Sequence, residues 1–276
     1  MSMRLKTVLA RCVSVAAVVV VAGVSWAGSD AERVLKIKND GGCPRCDLNL
    51  AELRGLALDK ADFERARLRE VDLKEAELPN ANFRDADFRR TEAERANFSS
   101  SDFTDAAMRS VDLEKSNLTS AVFDGADLRD ADLNGSIMTG ASFIDADLRN
   151  VSFIRSIAQN ASFRKAKMDR ANLERVDLLN ADFRNARLKN VKLDRIKAHN
   201  ADFSGADMTG VQLVSSDLTG ANLTNVDFEG ALLRRTRLAG ADLTGAYNLD
   251  PNRILGACGD KNTKLPRGIV LMDCAY

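Results

Sequence analysis

From Leu48 to Leu243 every fifth residue is Leu, Phe, Met or Ala, through forty consecutive pentapeptides without a slip. Neither a lone helix nor a flat strand has a period of five. Two residues before each beat stands a second small or apolar residue, most often Ala, as in Ala61-Asp62-Phe63 and Ala181-Asp182-Phe183. Such a sustained beat predicts a solenoid, whose stacked repeats bury a continuous core and leave the outer faces for contacts. Because the repeat fills residues 46–245, one elongated domain is expected.

A second period lies on top of the first. Phe63, Phe83, Phe103, Phe123, Phe143, Phe163, Phe183 and Phe203 recur every 20 residues, and all twelve Phe of the chain fall on the beat. Four pentapeptides must then make one coil, so that like residues stack on like. Forty repeats give about ten coils, and at ~4.8 Å per coil the rod is on the order of 48 Å long. Glycine is frequent at the last place of a repeat, as at Gly125 and Gly220, which suits sharp corners. These glycines crowd the C-terminal half, where more regular corners are expected.

The two ends differ from the repeat. Residues 1–27 combine a basic start at Arg4, Lys6 and Arg11, an apolar run of about 13 residues, and Ser25-Trp26-Ala27, which has the pattern of a signal peptide cut before Gly28. The run is shorter than the ~20 residues that a spanning helix requires. Removing this segment turns a balance of 40 basic and 40 acidic residues into 37 against 40. The expected location is periplasmic or secreted. Of the cysteines left, Cys43 and Cys46 stand at the start of the repeat, and Cys258 and Cys274 stand after it. Pairs at opposite ends of a rod can hardly meet, so local Cys43–Cys46 and Cys258–Cys274 bridges are favoured, consistent with an oxidising compartment. Residues 28–45 read as an N-terminal cap and 246–276 as a disulfide-stapled C-terminal cap, covering strand edges that would otherwise recruit other chains. Asp250-Pro251 starts a short helix predicted over Pro251 to Ala257.

Units such as Ala126-Asp127-Leu128-Arg129-Asp130 and Ala221-Asn222-Leu223-Thr224-Asn225 resemble the pentapeptide-repeat family, over roughly 200 of the 276 residues. The resemblance implies an all-β fold, a right-handed quadrilateral β-helix. The beat residue and the one two before it would point inward. The Cys-bearing flanks are similar to those of exported bacterial members.

Few residues invite chemistry. Cys43-Pro44-Arg45-Cys46 has CxxC spacing, but it opens a solenoid instead of a thioredoxin-like helix. A structural disulfide is the expected role, with redox or metal binding as lesser readings. His199, the only histidine, lies seven coils further on and faces out, so neither a four-ligand zinc site nor a catalytic triad can be built around it. The Asp and Asn residues before the beat form ladders and single out no catalytic pair. No enzyme activity, cofactor or metal is expected.

Two surface patterns remain. Arg69, Arg89, Arg109, Arg129 and Arg149 form one outward column, and Glu52, Asp72, Glu92, Asp112 and Asp132 form another on the adjoining face. Arg89 precedes Glu92 by three residues, as Arg109 precedes Asp112, which predicts pairing around a corner. Val122, Ile137, Ile144, Ile154 and Ile157 occupy outward positions, and an apolar patch there would favour association, including a homodimer. The expected function is a non-catalytic exported scaffold or interaction rod whose partner is a protein or an anionic envelope polymer. Nucleic acid is not expected as a partner. The alternatives are a DNA-imitating, topoisomerase-binding rod and a β-helix that binds or hydrolyses envelope polysaccharide.

Overall fold

A computed structural model describes residues 29–274. The leader pattern of residues 1–27 lies outside them.

Each pentapeptide folds the same way. The carbonyl of the beat residue accepts the N–H three residues on, as Leu48 accepts from Ala51 at 3.0 Å and Phe63 from Ala66 at 2.9 Å. The third residue of this turn has positive φ, +62° at Leu50 and +57° at Lys60, while the second does not, which is the type II pattern. Single parallel bridges then join coil to coil at a separation of 20, from Gly42↔Asp62 through Asp47↔Arg67 and onward to Asn222↔Asp242. Each turn of the solenoid therefore holds four pentapeptides, and each pentapeptide has one bridged position where an ordinary sheet would have a strand.

This geometry satisfies nearly all of the backbone. Around one repeat, Phe63 N–H donates to Asn82 and Arg65 N–H to Arg84 in the next coil, and Asp62 N–H donates back to Gly41. The N–H after the beat has no ladder partner, and the side chain before the beat supplies one. Asp62 Oδ1 accepts from Glu64 N–H at 3.0 Å, and Asp102 accepts from Thr104 at 2.9 Å. The recurrent Asp or Asn is thus a structural acceptor, a local turn bond of the kind these residues form readily.

Inside the tube, beat residues and the residues two before them are buried from Cys46 to Leu243, with Leu58 alone half-buried. The eight Phe stack nearly parallel, with ring centroids 4.7 to 5.3 Å apart. Phe88, Phe98 and Phe153 meet the stack edge-on. Ser or Thr in place of the inward Ala bonds main chain, either of the preceding coil or of its own turn. Ser101 Oγ donates to Leu78 O at 2.9 Å and Thr236 Oγ1 to Leu213 O at 2.6 Å, one coil back, whereas Ser136 Oγ donates to Leu133 O at 2.7 Å.

Three expectations are corrected. The corners are alike in both halves: Arg95 has φ +58° and Arg195 +59°, close to +68° at Gly205, because the turn demands the left-handed conformation whichever residue fills it. The rungs extend beyond 46–245, beginning at Gly42 and continuing irregularly through Asp227↔Tyr247, Arg237↔Cys258 and Asp242↔Lys264. The helix predicted over Pro251 to Ala257 is only a 3-10 turn, Pro251–Arg253, capped by Asp250. Leu255 O and Cys258 O instead accept ladder bonds from Arg235 and Leu238, and Gly256 takes a positive φ, so the segment continues the coil. It ends in two short parallel strands, β1 (Cys258–Gly259) and β2 (Met272–Asp273).

The N-terminal cap contains a helix that the sequence reading missed. α1 spans Asp30–Asp40, opens on a Ser29/Glu32 capping box and closes at Gly41 with φ +74°. Ile37 from α1 is fully buried in the core, which covers the first coil.

Candidate interaction surface

The four sides of a coil carry different outward residues, and the bridges stack like side on like. The arginine face follows beat residues Leu48, Leu68, Phe88, Met108, Leu128 and Leu148, and brings Arg69, Arg89, Arg109, Arg129 and Arg149 into one column. The next face carries Asp72, Glu92, Asp112 and Asp132, bridged in succession. The face after that has no charge from Asn97 to Asn160 and includes Ile137 and Ile157. The Phe face, which bears the stack, completes the coil.

The arginines do not pair around the corner with Glu92, Asp112 or Asp132. Arg129 grips Asp127 through two bonds of 2.7 and 2.6 Å, Arg149 grips Asp147 at 2.8 and 2.6 Å, and Arg89 Nε lies 2.7 Å from Asp87. The reason is the turn bond described above. Each Asp already accepts the backbone N–H of its arginine, at 3.2 Å for Asp127, so both side chains leave the same side of the coil. At Arg109 the corresponding position is Ala107, and the guanidinium reaches Asp130 of the next coil at 3.1 Å.

Electrostatics follow this geometry. The Arg129 guanidinium holds the Asp127 carboxyl below the usual range against a burial effect that raises it. For Asp87 and Asp147 burial is the largest influence and raises the pKa, but bonds from Arg89 and Arg149 outweigh it and leave both lowered. On the acidic face the direction reverses. Burial pushes Asp132 up, and the neighbouring charges of Asp112 and Glu114 add to it.

Not every cation is neutralised. Among the described residues of this face Arg69 and Lys167 form no direct ion pair, although the charge of Arg69 acts on Asp87 at longer range, and Arg170 bonds the amide oxygen of Asn150 at 2.9 Å instead of a carboxylate. Arg69, Arg89, Arg90, Arg109 and Ser110 line one shallow depression of the arginine face. A second, lower on the same face, is lined by Arg149, Asp169, Arg170, Arg187, Lys189 and Asn190.

The apolar set separates. Ile137 and Ile157 are bridged neighbours, 44% and 39% exposed. Val122 and Ile144 lie on the Phe face and Ile154 on the acidic face, all half-buried, so the five do not form one patch. Sequence spacing alone already separates them, because only residues 20 apart share a column.

The four cysteines among the described residues sit at the two ends of the rod. Cys43 bonds Cys46 with Cα atoms 5.6 Å apart, beneath a depression that α1 shares through Lys36 and Asp40. Cys258 bonds Cys274 with Cα atoms 4.8 Å apart and ties β1 to the segment after β2. Among the described residues no group of three or more His, Cys, Asp or Glu could hold a metal ion. His199 is exposed, with Nε2 3.0 Å from Asp217 in the next coil. Burial raises the Asp217 carboxyl, but bonds from Thr219 and then His199 leave it lowered. Among the described residues no helix is long and apolar enough to cross a membrane.

No curated protein matches the chain significantly. Among solved structures it is similar to HetL, a pentapeptide repeat protein involved in heterocyst differentiation regulation in the cyanobacterium Nostoc sp. The identity is 27% over 73% of this chain and 92% of that one, with a TM-score of 0.40. It is also similar to a pentapeptide repeat protein of the Arabidopsis thaliana thylakoid lumen, at 29% identity over 34% of this chain and 65% of that one, with a TM-score of 0.33. Full-length QnrB1, a plasmid-mediated fluoroquinolone resistance protein, matches at 18% identity over 74% and 92%, with a TM-score of 0.36. The family model described as pentapeptide repeat region matches residues 43–118 and 146–223, and that described as pentapeptide repeats (8 copies) matches 116–153 and 212–247. The chain belongs to the pentapeptide-repeat family.

Proposed function

We propose that this protein is a non-catalytic interaction rod, a right-handed quadrilateral β-helix of about ten coils, exported from the cytoplasm and working at the cell envelope. The observation that carries the reading is the sorting of outward residues by side. In the N-terminal and middle coils a basic face, a face acidic from Asp72 to Asp132 and a face uncharged from Asn97 to Asn160 stand on one stiff core, and the carboxylates before the beat serve as turn acceptors. Such a body is suited to presenting surfaces to another macromolecule. Export is supported by the leader pattern of residues 1–27 and by the four cysteines beyond it, which stand at the two ends of the rod, a usage suited to oxidising compartments. Imitation of a nucleic-acid duplex needs a continuous anionic surface, and the arginine face interrupts it.

The test is crosslinking in intact cells followed by fractionation, pull-down and N-terminal sequencing. The expected product starts near Gly28, lies outside the cytoplasm and carries a crosslinked macromolecule. A cytosolic product that retains Met1 would overturn the export half of the reading.

A further inference from the structure

The arginine face keeps three cations that ion pairing within the rod does not use. Between Arg67 and Asn190 its outward positions hold eleven Arg or Lys against six Asp or Glu. Eight of the eleven pair with carboxylates, Arg67 and Lys189 with Asp47 and Asp207 just outside these bounds, which leaves Arg69, Lys167 and Arg170. Arg69 lines the depression centred on Arg90, and Arg170 is the centre of the second. These centres are four coils apart, roughly 20 Å at the spacing of parallel strands. Between them Arg129 is held by Asp127, and Arg149, at the edge of the second depression, by Asp147. The face is therefore a straight strip, basic at both ends, with alternating guanidinium and carboxylate along its middle.

We propose that this strip binds a linear acidic polysaccharide, a chain of uronic-acid type with one carboxylate on each or every second sugar. The proposal rests on the interaction-rod reading and names the partner of one face. Three features select this chemistry. The strip repeats once per coil, a distance comparable to one pyranose residue, so successive carboxylates can address successive coils without the polymer bending. The cations Arg69, Lys167 and Arg170, which hold no carboxylate among the described residues, supply charge for anionic groups, and guanidinium forks match carboxylate geometry. The carboxylates Asp87, Asp127 and Asp147 offer acceptors to sugar hydroxyls. A polyphosphate or DNA backbone offers no hydroxyl donors to these acceptors. Two depressions on one rigid body reward a ligand long enough to fill both, because the second contact becomes intramolecular.

The experiment uses the whole mature protein and measures binding of polygalacturonate, its short oligomers, a neutral glucan, polyphosphate and single-stranded DNA. Polygalacturonate is expected to bind, to weaken as salt rises because exposed charges are screened, and to exceed the dimer by roughly tenfold or more once the oligomer reaches both depressions. The double variant R69E/R170E should lose roughly tenfold or more in affinity. Neither residue has a carboxylate partner among the described residues, so the thermal midpoint should hold. The milder pair R69A/R170A checks this with a smaller loss, and reversal of Arg175 and Arg195 on the adjoining face should leave binding unchanged. No binding of polygalacturonate, equal or tighter binding of polyphosphate or DNA, or equal loss in the control reversal would each overturn the proposal. An envelope partner crosslinked through another face would sink it while leaving the rod reading intact.

Discussion

The ring of Phe123 lies 4.8 Å from that of Phe143 and within 4° of parallel, although the two residues are 20 apart in sequence. One coil rise separates them, so the stack has the same repeat as the backbone ladder and each ring packs on its neighbours wherever the coil is in register. This makes the column a strict reporter of register. An inserted or deleted residue would put out of register every bridge and Phe pair that spans it.

Removing one ring should therefore be costly. Phe123→Ala is expected to destabilise by about 3–5 kcal/mol, the range for truncating a buried aromatic. Phe123→Leu should cost well under half of that, since Leu223 and Leu243 continue the same column in the native chain. Urea midpoints of the purified variants decide the point. Equal, small shifts for both would mean that the ring is not packed as described.

Positive φ at the turn gives a second prediction. Arg175 sits at φ +61°, a conformation that costs an ordinary residue roughly 1–2 kcal/mol and glycine almost nothing. Arg175→Gly should leave the thermal midpoint unchanged or slightly raised. Arg175→Val, β-branched and on the same turn, should lower it clearly. Comparable midpoints would show that the turn is not held in the left-handed region.

The C-terminal cap supplies a pH dependence. Lys264 Nζ lies 2.7 Å from Asp242, and with bonds from Thr244 it holds this carboxyl at about 2. The unfolded value is about 3.9. A depressed folded pKa contributes stability that is present above the unfolded value and is lost as pH falls through the folded one. The midpoint difference between wild type and Asp242→Asn should hold at about pH 6, shrink below about pH 4 and vanish only below about pH 2. A difference that does not change across this window would assign the effect of Asp242 to packing.

The fold was legible because the inward positions obey one rule over forty repeats: a tube too narrow for water selects apolar residues wherever the chain points in. The same regularity hid the rest. Cys43 is an inward residue of an earlier turn, but Gly41-Gly42 before it breaks the consensus, so the first rung at Gly42 was unreadable. Ser29, Glu32 and Gly41 do spell the ends of α1, a signal overlooked in a segment read only as a cap. The partner of Arg89 depended on an N–H left free by the ladder, which spacing does not reveal. Asp87, two residues before Arg89, became a partner only through that turn bond.

The last prediction concerns the two bridges, which join residues of very different reach. Cys43 and Cys46 close a short turn at the first rung, while Cys258 and Cys274 are 16 residues apart and bind β1 to the chain beyond β2. In the chain-entropy model a loop of about 15 residues is worth ~3 kcal/mol, and a shorter one less. Non-reducing peptide mapping of the mature protein should join each local pair and leave no cross-pair. The variant C258S/C274S should lower the thermal midpoint more than C43S/C46S does, with proteolysis starting in the segment from Leu255 onward. Free thiols at all four positions, or a larger loss from the N-terminal pair, would show that the staple of the C-terminal coil does not hold the end of the rod.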